Sequence, residues 1–143
     1  MKVLTFKISL VQRVRLANDD RKIVKLLFLL YINGLPNSIS GGKIKLFADY
    51  INLFVSAKTM SELEFKANSY LLNLGNWLKA NKLHLNVDKT CYSVFPPNKI
   101  PVPTVTIKIN DTKIKCVKEC KYLGVIIDDE LNGLLILNLY FRN

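Results

Sequence analysis

One short stretch of the chain, residues 43–56, holds an acidic side chain that could bind a metal ion. Asp49 lies at its centre, and apolar side chains occupy every second position before and after Asp49 and Tyr50. This period of two predicts two strands of a hairpin with Asp49 at the tip. A carboxylate held at a tight turn and open to water is a suitable ligand for a divalent cation. The alternative is that Asp49 only forms the turn, as Asp often does.

Four short blocks of sequence follow one another in a recognisable order. Leu-Leu-Phe-Leu-Leu-Tyr-Ile-Asn spans 26–33, Phe-Ala-Asp spans 47–49, Leu-His-Leu-Asn-Val-Asp-Lys-Thr spans 83–90 and Tyr-Leu-Gly-Val-Ile-Ile spans 122–127. In these blocks the chain resembles the reverse transcriptases of non-LTR (LINE-like) retrotransposons, whose signature is Phe-Ala-Asp-Asp. The resemblance covers about residues 25–132. It departs from the signature at Tyr50, which stands where the second Asp is expected.

The resemblance implies the fold and chemistry of a polymerase palm. It implies an RNA-directed DNA polymerase that acts on an RNA or DNA template–primer and on dNTPs, with Mg²⁺ as cofactor. Asp49 would be a catalytic residue and a metal ligand. Lys89 would lie near the phosphates of the incoming nucleotide and protonate the departing pyrophosphate. Tyr122, Leu123 and Gly124 would form the primer grip, where Gly lets the backbone approach the primer closely.

The requirements of this chemistry predict that the chain is catalytically inactive. Two Mg²⁺ ions must activate the primer 3′-hydroxyl and stabilise the leaving pyrophosphate, and each ion prefers near-octahedral oxygen coordination. By the resemblance, the first palm strand with its Asp would lie upstream of Met1, and Tyr50 removes another carboxylate. Tyr50 would also strain a two-residue turn, because a bulky ring tolerates positive φ poorly. The acidic pairs at 19–20 and 128–129 are expected to be cap and loop residues.

The charge of the chain suits a polyanionic partner. Its 143 residues include 21 Lys and Arg against 11 Asp and Glu, which gives a formal charge of +10. Nucleic acid and an anionic membrane face would both fit this charge, and the alternative is a lysine-rich surface that is only solvated. The lysines are densest from 108 to 121, so Lys115, Lys118 and Lys121 are candidate contacts to nucleic acid.

Cysteine content and hydropathy bear on the cellular compartment. Three cysteines and one His can form neither a disulfide framework nor a four-ligand zinc site, so Cys91, Cys116 and Cys120 are expected to be reduced thiols. No signal peptide is recognised, and the apolar runs 26–32 and 134–139 fall short of the roughly 20 residues that span a bilayer. These features predict an intracellular protein, inside or outside the nucleus, without a membrane span.

The predicted fold class is α+β: a partial palm with a ferredoxin-like, antiparallel sheet packed on two helices. A helix at 21–33 is apolar on nearly every face and is therefore predicted to be buried on all sides. A second helix begins after Thr59, where Thr59 and Glu62 have capping-box spacing, and runs to about Ala80 with one apolar stripe. Strands are predicted within 1–16, on both sides of Asp49, at 90–95, at 121–127, and in a hairpin of 105–109 with 113–117 about Asn110–Asp111.

The resemblance divides the chain into three segments. Residues 1–20 match nothing in the family, 21–132 form the partial palm and primer-grip region, and 133–143 are an unmatched apolar tail. The predicted function is a fragment of a retrotransposon reverse transcriptase without catalytic activity. Two alternatives stay open: a basic nucleic-acid-binding module that uses lysines 108–121, or a non-functional remnant whose sheet lacks a strand partner and leaves an edge unpaired.

Overall fold

The computed structural model describes residues 2–11, 26, 28–30, 32–47, 50–95, 104–122 and 125–128. The strands are β1 (Lys2–Val11), β2 (Lys43–Phe47), β3 (Tyr50–Ala57), β4 (His84–Leu85), β5 (Cys91–Phe95), β6 (Lys108–Ile109), β7 (Thr112–Lys113), β8 (Lys115–Cys116), β9 (Glu119–Tyr122) and β10 (Val125–Asp128). The helices are α1, which contains the helical residues 26, 28–30 and 32, and α2 (Met60–Ala80). Short 3-10 helices occupy Leu35–Ser38 and Val87–Lys89.

β1 lies at the centre of the main sheet, whose strand order is β2-β3-β1-β5-β8, with β4 paired to the end of β1. It runs antiparallel to β3 on one side and to β5 on the other. Its alternate residues Leu4, Phe6, Ile8 and Leu10 are all buried, because a strand with one apolar face buries that face against the helices. The central strand therefore comes from the segment 1–20, which matched nothing in the resembled family. The remnant hypothesis predicts a strand edge without a partner. β3 has a partner strand on both sides, so that unpaired edge is not at β3.

α2 is capped and buried largely as the sequence predicts. The Thr59 hydroxyl accepts a hydrogen bond from the Glu62 N–H at 3.2 Å, and the Glu62 carboxylate accepts bonds from the Lys58 N–H at 3.1 Å and from the Thr59 backbone. A salt bridge of 2.7 Å to Lys66 and this bond to Lys58 hold the pKa of Glu62 below its ordinary value. The apolar stripe is buried at every predicted position, namely Met60, Leu63, Ala67, Leu71, Leu74 and Leu78.

α1 is buried on one side only, so the prediction of burial on all sides is wrong. Ile32 is 1% exposed and Phe28 packs at the edge of the core, whereas Leu26, Leu29 and Leu30 are 59%, 42% and 65% exposed. The reason is that only the side of α1 with Phe28 and Ile32 packs against the core. Within the described part of the chain, nothing packs over their outer side.

β6 and β7 form the predicted hairpin about Asn110–Asp111. Ile109 pairs with Thr112, and the two residues between them have φ values of 47° and 64°. Positive φ at both positions is the requirement of the two-residue turn that matches the twist of antiparallel strands, and Asn and Asp tolerate it better than most residues. The prediction of this hairpin is confirmed.

One edge of the segment before the turn bonds side chains of α2, while its other edge bonds the strand after the turn, including the Ile114 N–H to the Ile107 carbonyl at 2.9 Å. The Thr106 N–H donates to Glu64 Oε1, and the Lys108 N–H donates to Asn68 Oδ1, both at 3.0 Å. The Asn68 amide donates in return to the Thr106 carbonyl, also at 3.0 Å. Two side chains one helical turn apart thus satisfy backbone groups that a neighbouring strand would otherwise bond.

Two predicted strands are divided in the structure. Only Thr112–Lys113 pair back with β6, and Lys115–Cys116 join the main sheet as β8, parallel to β5. The predicted strand 121–127 is also wrong as a single unit, because β9 and β10 are antiparallel partners with Tyr122 opposite Val125. An alternating pattern identifies extended backbone, but it does not identify the partner to which that backbone bonds.

The structure confirms an α+β class with a predominantly antiparallel sheet packed on helices. The core lies between the apolar face of the main sheet and α2, and the apolar side chains of residues 105, 107, 109 and 114 extend it beyond β5. Among the described residues, no helix combines the length and apolar character needed to cross a membrane.

Gly75 of α2 and Asn110 of the β6–β7 turn are predicted to be energetically coupled, because a Cβ on Gly75 would collide with the Asn110 amide. Gly75→Ala should raise the free energy of unfolding by about 1 kcal/mol when Asn110 is replaced by Gly, which also accepts positive φ. With Asn110 present, the same change should give no gain or a loss. Urea unfolding of wild type, Gly75→Ala, Asn110→Gly and the double variant measures this double-mutant cycle. Equal effects of Gly75→Ala with Asn110 and with Gly at position 110 would contradict the coupling.

Candidate nucleic-acid interface

The main sheet has one face against α2 and one face turned away from it, which we call the open face. The apolar positions of β1 and β3 point to α2, and successive side chains of a strand alternate between faces, so the residues between them lie on the open face. The open face carries Thr5, Lys7, Ser9, Lys43, Lys45, Tyr50, Asn52, Phe54, Cys91, Ser93 and Lys115. Ser9, Asn52 and Ser93 are buried, so the accessible part of this face is formed by the other side chains.

Five of these residues form a transverse line, one from each strand of the path β2-β3-β1-β5-β8. Each is the register partner of the next, in the order Lys45, Asn52, Lys7, Cys91 and Lys115. Neighbouring strands lie about 4.8 Å apart, so the three lysines, on every second strand, are spaced by roughly 10 Å. We call this line the lysine row. It places positive charge across the full width of the sheet.

The strands of the main sheet offer no carboxylate to neutralise the lysine row. Their sequences contain five lysines and neither Asp nor Glu. The Lys7 ammonium lies 4.3 Å from the centroid of the Tyr50 ring, a cation–π contact that orients the Lys7 side chain. The open face therefore combines basic and aromatic side chains, which is the composition that binds phosphate and stacks bases.

Cys91 lies within the lysine row and contacts Cys120 of β9. The Cys120 thiol donates a hydrogen bond to Cys91, and this bond, with the positive charges of Lys7 and Lys115, lowers the pKa of Cys91 to about 7 although the residue is half-buried. The hydrogen bond and burial raise the pKa of Cys120, so Cys120 keeps its proton. The pair thus carries one negative charge, on Cys91, once Cys91 ionises.

Ser9 of β1 connects the two segments for which catalytic residues were predicted. It pairs with Tyr50, the first residue of β3, and its N–H donates to the Thr90 hydroxyl at 3.2 Å. Thr90 donates in turn to the Asn86 carbonyl at 2.7 Å. Lys89, adjacent to Thr90, is exposed at the end of its 3-10 helix. Lys89 and the first residue of β3 therefore lie at the same end of the sheet, on either side of Ser9.

The predicted Asp49 hairpin is present in its strands, because Phe47 of β2 pairs with Tyr50 of β3. Asp49 itself lies outside the described residues. Tyr50 belongs to a strand and is not among the described residues with positive φ, so the predicted strain at this position is wrong. The reason is that the turn consists of the two residues between Phe47 and Tyr50, so Tyr50 lies in the first residue pair of the β2–β3 ladder.

The primer-grip prediction falls only partly within the described residues. Tyr122 and Lys121 belong to β9, whereas Leu123 and Gly124 lie outside the description. Lys118 is exposed just before β9. The β9–β10 hairpin lies beside β5, where the Cys91–Cys120 contact joins it to the open face.

The lysines from 108 to 121 do not share one surface. Lys108 and Lys113 lie on the β6–β7 hairpin, which packs on α2, while Lys115 belongs to the lysine row. Two lysines of the dense run therefore lie away from the lysine row, while the contacts predicted for Lys115, Lys118 and Lys121 stay a prediction. Lys7 and Lys45 were not predicted as site residues. Each stands between buried or half-buried apolar neighbours, and this alternation is the signal that could have placed both on the same face of the sheet.

The described residues do not group three or more His, Cys, Asp or Glu side chains in a way that could hold a metal ion. Asp49 is outside these residues and has no part in that finding. The other predicted catalytic side chain, Lys89, offers no ligand to a hard cation while it is protonated.

Thr90 is predicted to be a structural link between β1 and the segment that carries Lys89. Thr90→Val keeps the shape of the side chain but leaves the buried Ser9 N–H without its acceptor, which should cost about 1–3 kcal/mol of unfolding free energy. Thr90→Ser keeps the hydroxyl and should cost less. Chemical denaturation of the three proteins gives the comparison, and an equal loss for both variants would show that the hydroxyl is not the stabilising group.

Comparison of the chain with protein-family models, with curated proteins and with solved structures gave no match.

Proposed function

We propose that this chain is a palm-like fragment related to the reverse transcriptases of non-LTR retrotransposons, which binds template–primer nucleic acid on its open face and does not polymerise. The observation that carries the proposal is the lysine row on a sheet whose strands contain no carboxylate. A surface of this kind attracts the phosphate backbone and does not bind the cations that the polymerase reaction needs.

The order of elements supports the relation to a palm. β1, α1, β2, β3, α2 and β5 occur in this order along the chain, with the two-residue β4 and a 3-10 helix between α2 and β5, and the four long strands are arranged β2-β3-β1-β5 in the sheet. This β-α-β-β-α-β succession is that of the ferredoxin-like unit expected from the resemblance. In that arrangement β1 takes the position of the first palm strand, which the sequence prediction had placed upstream of Met1.

The residues of β1 support the absence of catalysis. The resembled enzymes carry a metal-binding Asp on the first palm strand, whereas β1 is Lys-Val-Leu-Thr-Phe-Lys-Ile-Ser-Leu-Val, and its open-face positions include Lys7 and Ser9. With Tyr50 in place of the second hairpin Asp, Asp49 is the only carboxylate in β1, β2, β3 and the turn between β2 and β3. One carboxylate does not fit a pair of Mg²⁺ ions.

The binding role follows from charge and from aromatic surface. Lys7, Lys45 and Lys115 would contact phosphates along one strand of a duplex, and Tyr50 beside Lys7 would offer a ring to an unpaired base. Such contacts release counterions and carry no sequence information by themselves. The expected ligand is therefore a nucleic-acid backbone of any sequence.

Binding to a short RNA–DNA hybrid should weaken steeply with salt and should depend on the lysine row. Each lysine that contacts a phosphate contributes about 0.9 to the slope of log K against log salt, so the triple variant Lys7→Gln, Lys45→Gln, Lys115→Gln should lower the slope by about 2–3. The charge-matched control Lys79→Gln, Lys108→Gln, Lys113→Gln should lower it by less than about 1. Fluorescence anisotropy across a salt series measures both.

Two outcomes of this titration would count against the proposal. Equal losses of slope in the two triple variants would remove the assignment to the open face. Binding that is undetectable at low ionic strength, or that does not respond to salt, would remove the nucleic-acid role itself. Thermal unfolding of each variant checks that a loss of binding is not a loss of fold.

Incorporation of dNTPs tests the second half of the proposal. On a primed RNA template with Mg²⁺, the wild-type chain should give no extension above a protein-free control, because the carboxylates for two metal ions are not present. Robust extension that requires Mg²⁺ would overturn the assignment of an inactive palm. The assay is run at protein concentrations at which fluorescence anisotropy shows that the RNA–DNA hybrid is bound.

A further inference from the structure

Two cysteines from different elements face each other on the open face. Cys91 is the first residue of β5. Cys120 lies in β9, and 29 positions separate it from Cys91 along the chain. Their thiols are within hydrogen-bonding distance, and both residues are half-buried. Cys116, by contrast, is exposed and lies on β8 at the register position of Tyr92, on the other face of the sheet.

Backbone bonds hold the chain between β8 and β9 against β5. The Val117 N–H donates to the Tyr92 carbonyl at 2.8 Å, and the Ser93 hydroxyl donates to the Val117 carbonyl at 2.8 Å. Cys120 follows Val117 by three residues, so these bonds limit how far its sulfur can move from Cys91. The proximity of the two thiols is therefore built by the sheet and does not depend on side-chain rotation alone.

The surroundings of Cys91 favour its reactive form. Lys7 on β1 and Lys115 on β8 are its register partners on the two sides, and Cys120 on β9 donates the hydrogen bond. With a pKa of about 7, a large fraction of Cys91 is thiolate at neutral pH. The thiolate is the form that attacks disulfides, and a nucleophilic thiol with a second thiol at hand is the arrangement of an exchange site.

We propose that Cys91 and Cys120 form a thiol–disulfide exchange site that accepts low-molecular-weight disulfides, such as oxidised glutathione, and closes into a reversible Cys91–Cys120 disulfide. The site goes beyond nucleic-acid binding and does not depend on it.

The exchange balances in two steps. The Cys91 thiolate attacks one sulfur of the small disulfide, which forms a mixed disulfide on Cys91 and releases one small thiolate. Cys120 then loses its proton to solvent and attacks the Cys91 sulfur, which forms the internal disulfide and releases the second small thiolate. The two cysteines are oxidised by two electrons, and the small disulfide is reduced to two thiols. A dithiol reductant reverses the sequence.

The reduced full-length chain, incubated with oxidised glutathione at neutral pH, tests the proposal by mass spectrometry under non-reducing conditions. Wild type should lose the mass of two hydrogens, and peptide mapping should locate the bond between Cys91 and Cys120. Cys116→Ser, which removes the exposed thiol, should give the same product. Cys120→Ser should stop at the mixed disulfide, with one glutathione on Cys91.

Three results would overturn the proposal: glutathione that accumulates on Cys116 while Cys91 stays reduced, an internal bond that includes Cys116, or no product in wild type. A second measurement guards against misfolded variants. The rate of Cys91 alkylation in wild type should rise with pH with a midpoint near 7, and Cys120→Ala should move that midpoint upward, because the thiolate then loses its hydrogen-bond donor. An unchanged midpoint would contradict the contact between the two thiols.

Discussion

The pairing of β1 with β3 on one side and β5 on the other is the interaction on which the rest of the structure depends. A central strand satisfies its backbone groups on both edges and buries one side-chain face, so β1 sets the orientation of both neighbours and separates the helical side from the open face. The ends of the β2–β3 hairpin and of the Lys89 segment come together only because both are held by β1, through the Ser9–Tyr50 pair and the bond to Thr90. Without β1, these two segments would have no common frame.

The same alternation that builds the core also builds the charged surface. Leu4, Phe6 and Ile8 must face α2, and the positions between them must then face away, which is where Lys7 stands. β2 repeats the arrangement with Lys45 between the half-buried residues Ile44 and Leu46 and with Lys43 before Ile44. Because the sheet strands contain no Asp or Glu, no carboxylate cancels the resulting charge within the sheet. A sheet whose strands present lysines and no carboxylate is suited to hold a phosphate backbone and not to hold magnesium.

The β9–β10 hairpin is attached to this frame by a small number of polar contacts beside β5. The bonds of Val117 and the Cys91–Cys120 contact lie side by side, so the thiols occupy the point at which the hairpin meets the sheet. The Cys91 thiolate also offsets part of the charge of Lys7 and Lys115, which links the ionisation of one thiol to the electrostatics of the lysine row. The hairpin and the row are in this way parts of one surface, although the sequence separates them widely.

The sequence by itself determined the elements whose signals are local: the capped helix from Met60 with its buried stripe, the turn at Asn110–Asp111, and the alternation on both sides of Asp49. These depend on hydrogen bonds and side-chain spacing within a few residues, so they can be predicted without knowledge of the partners. Only the tertiary structure decided that β1 is central, that α1 leaves three leucines exposed, that 121–127 is divided between two strands, and that Lys45, Lys7 and Lys115 share a row with Cys91. The physical reason is that strand partners and burial are set by contacts between segments far apart in the chain, and an alternating pattern fits many such partners equally well.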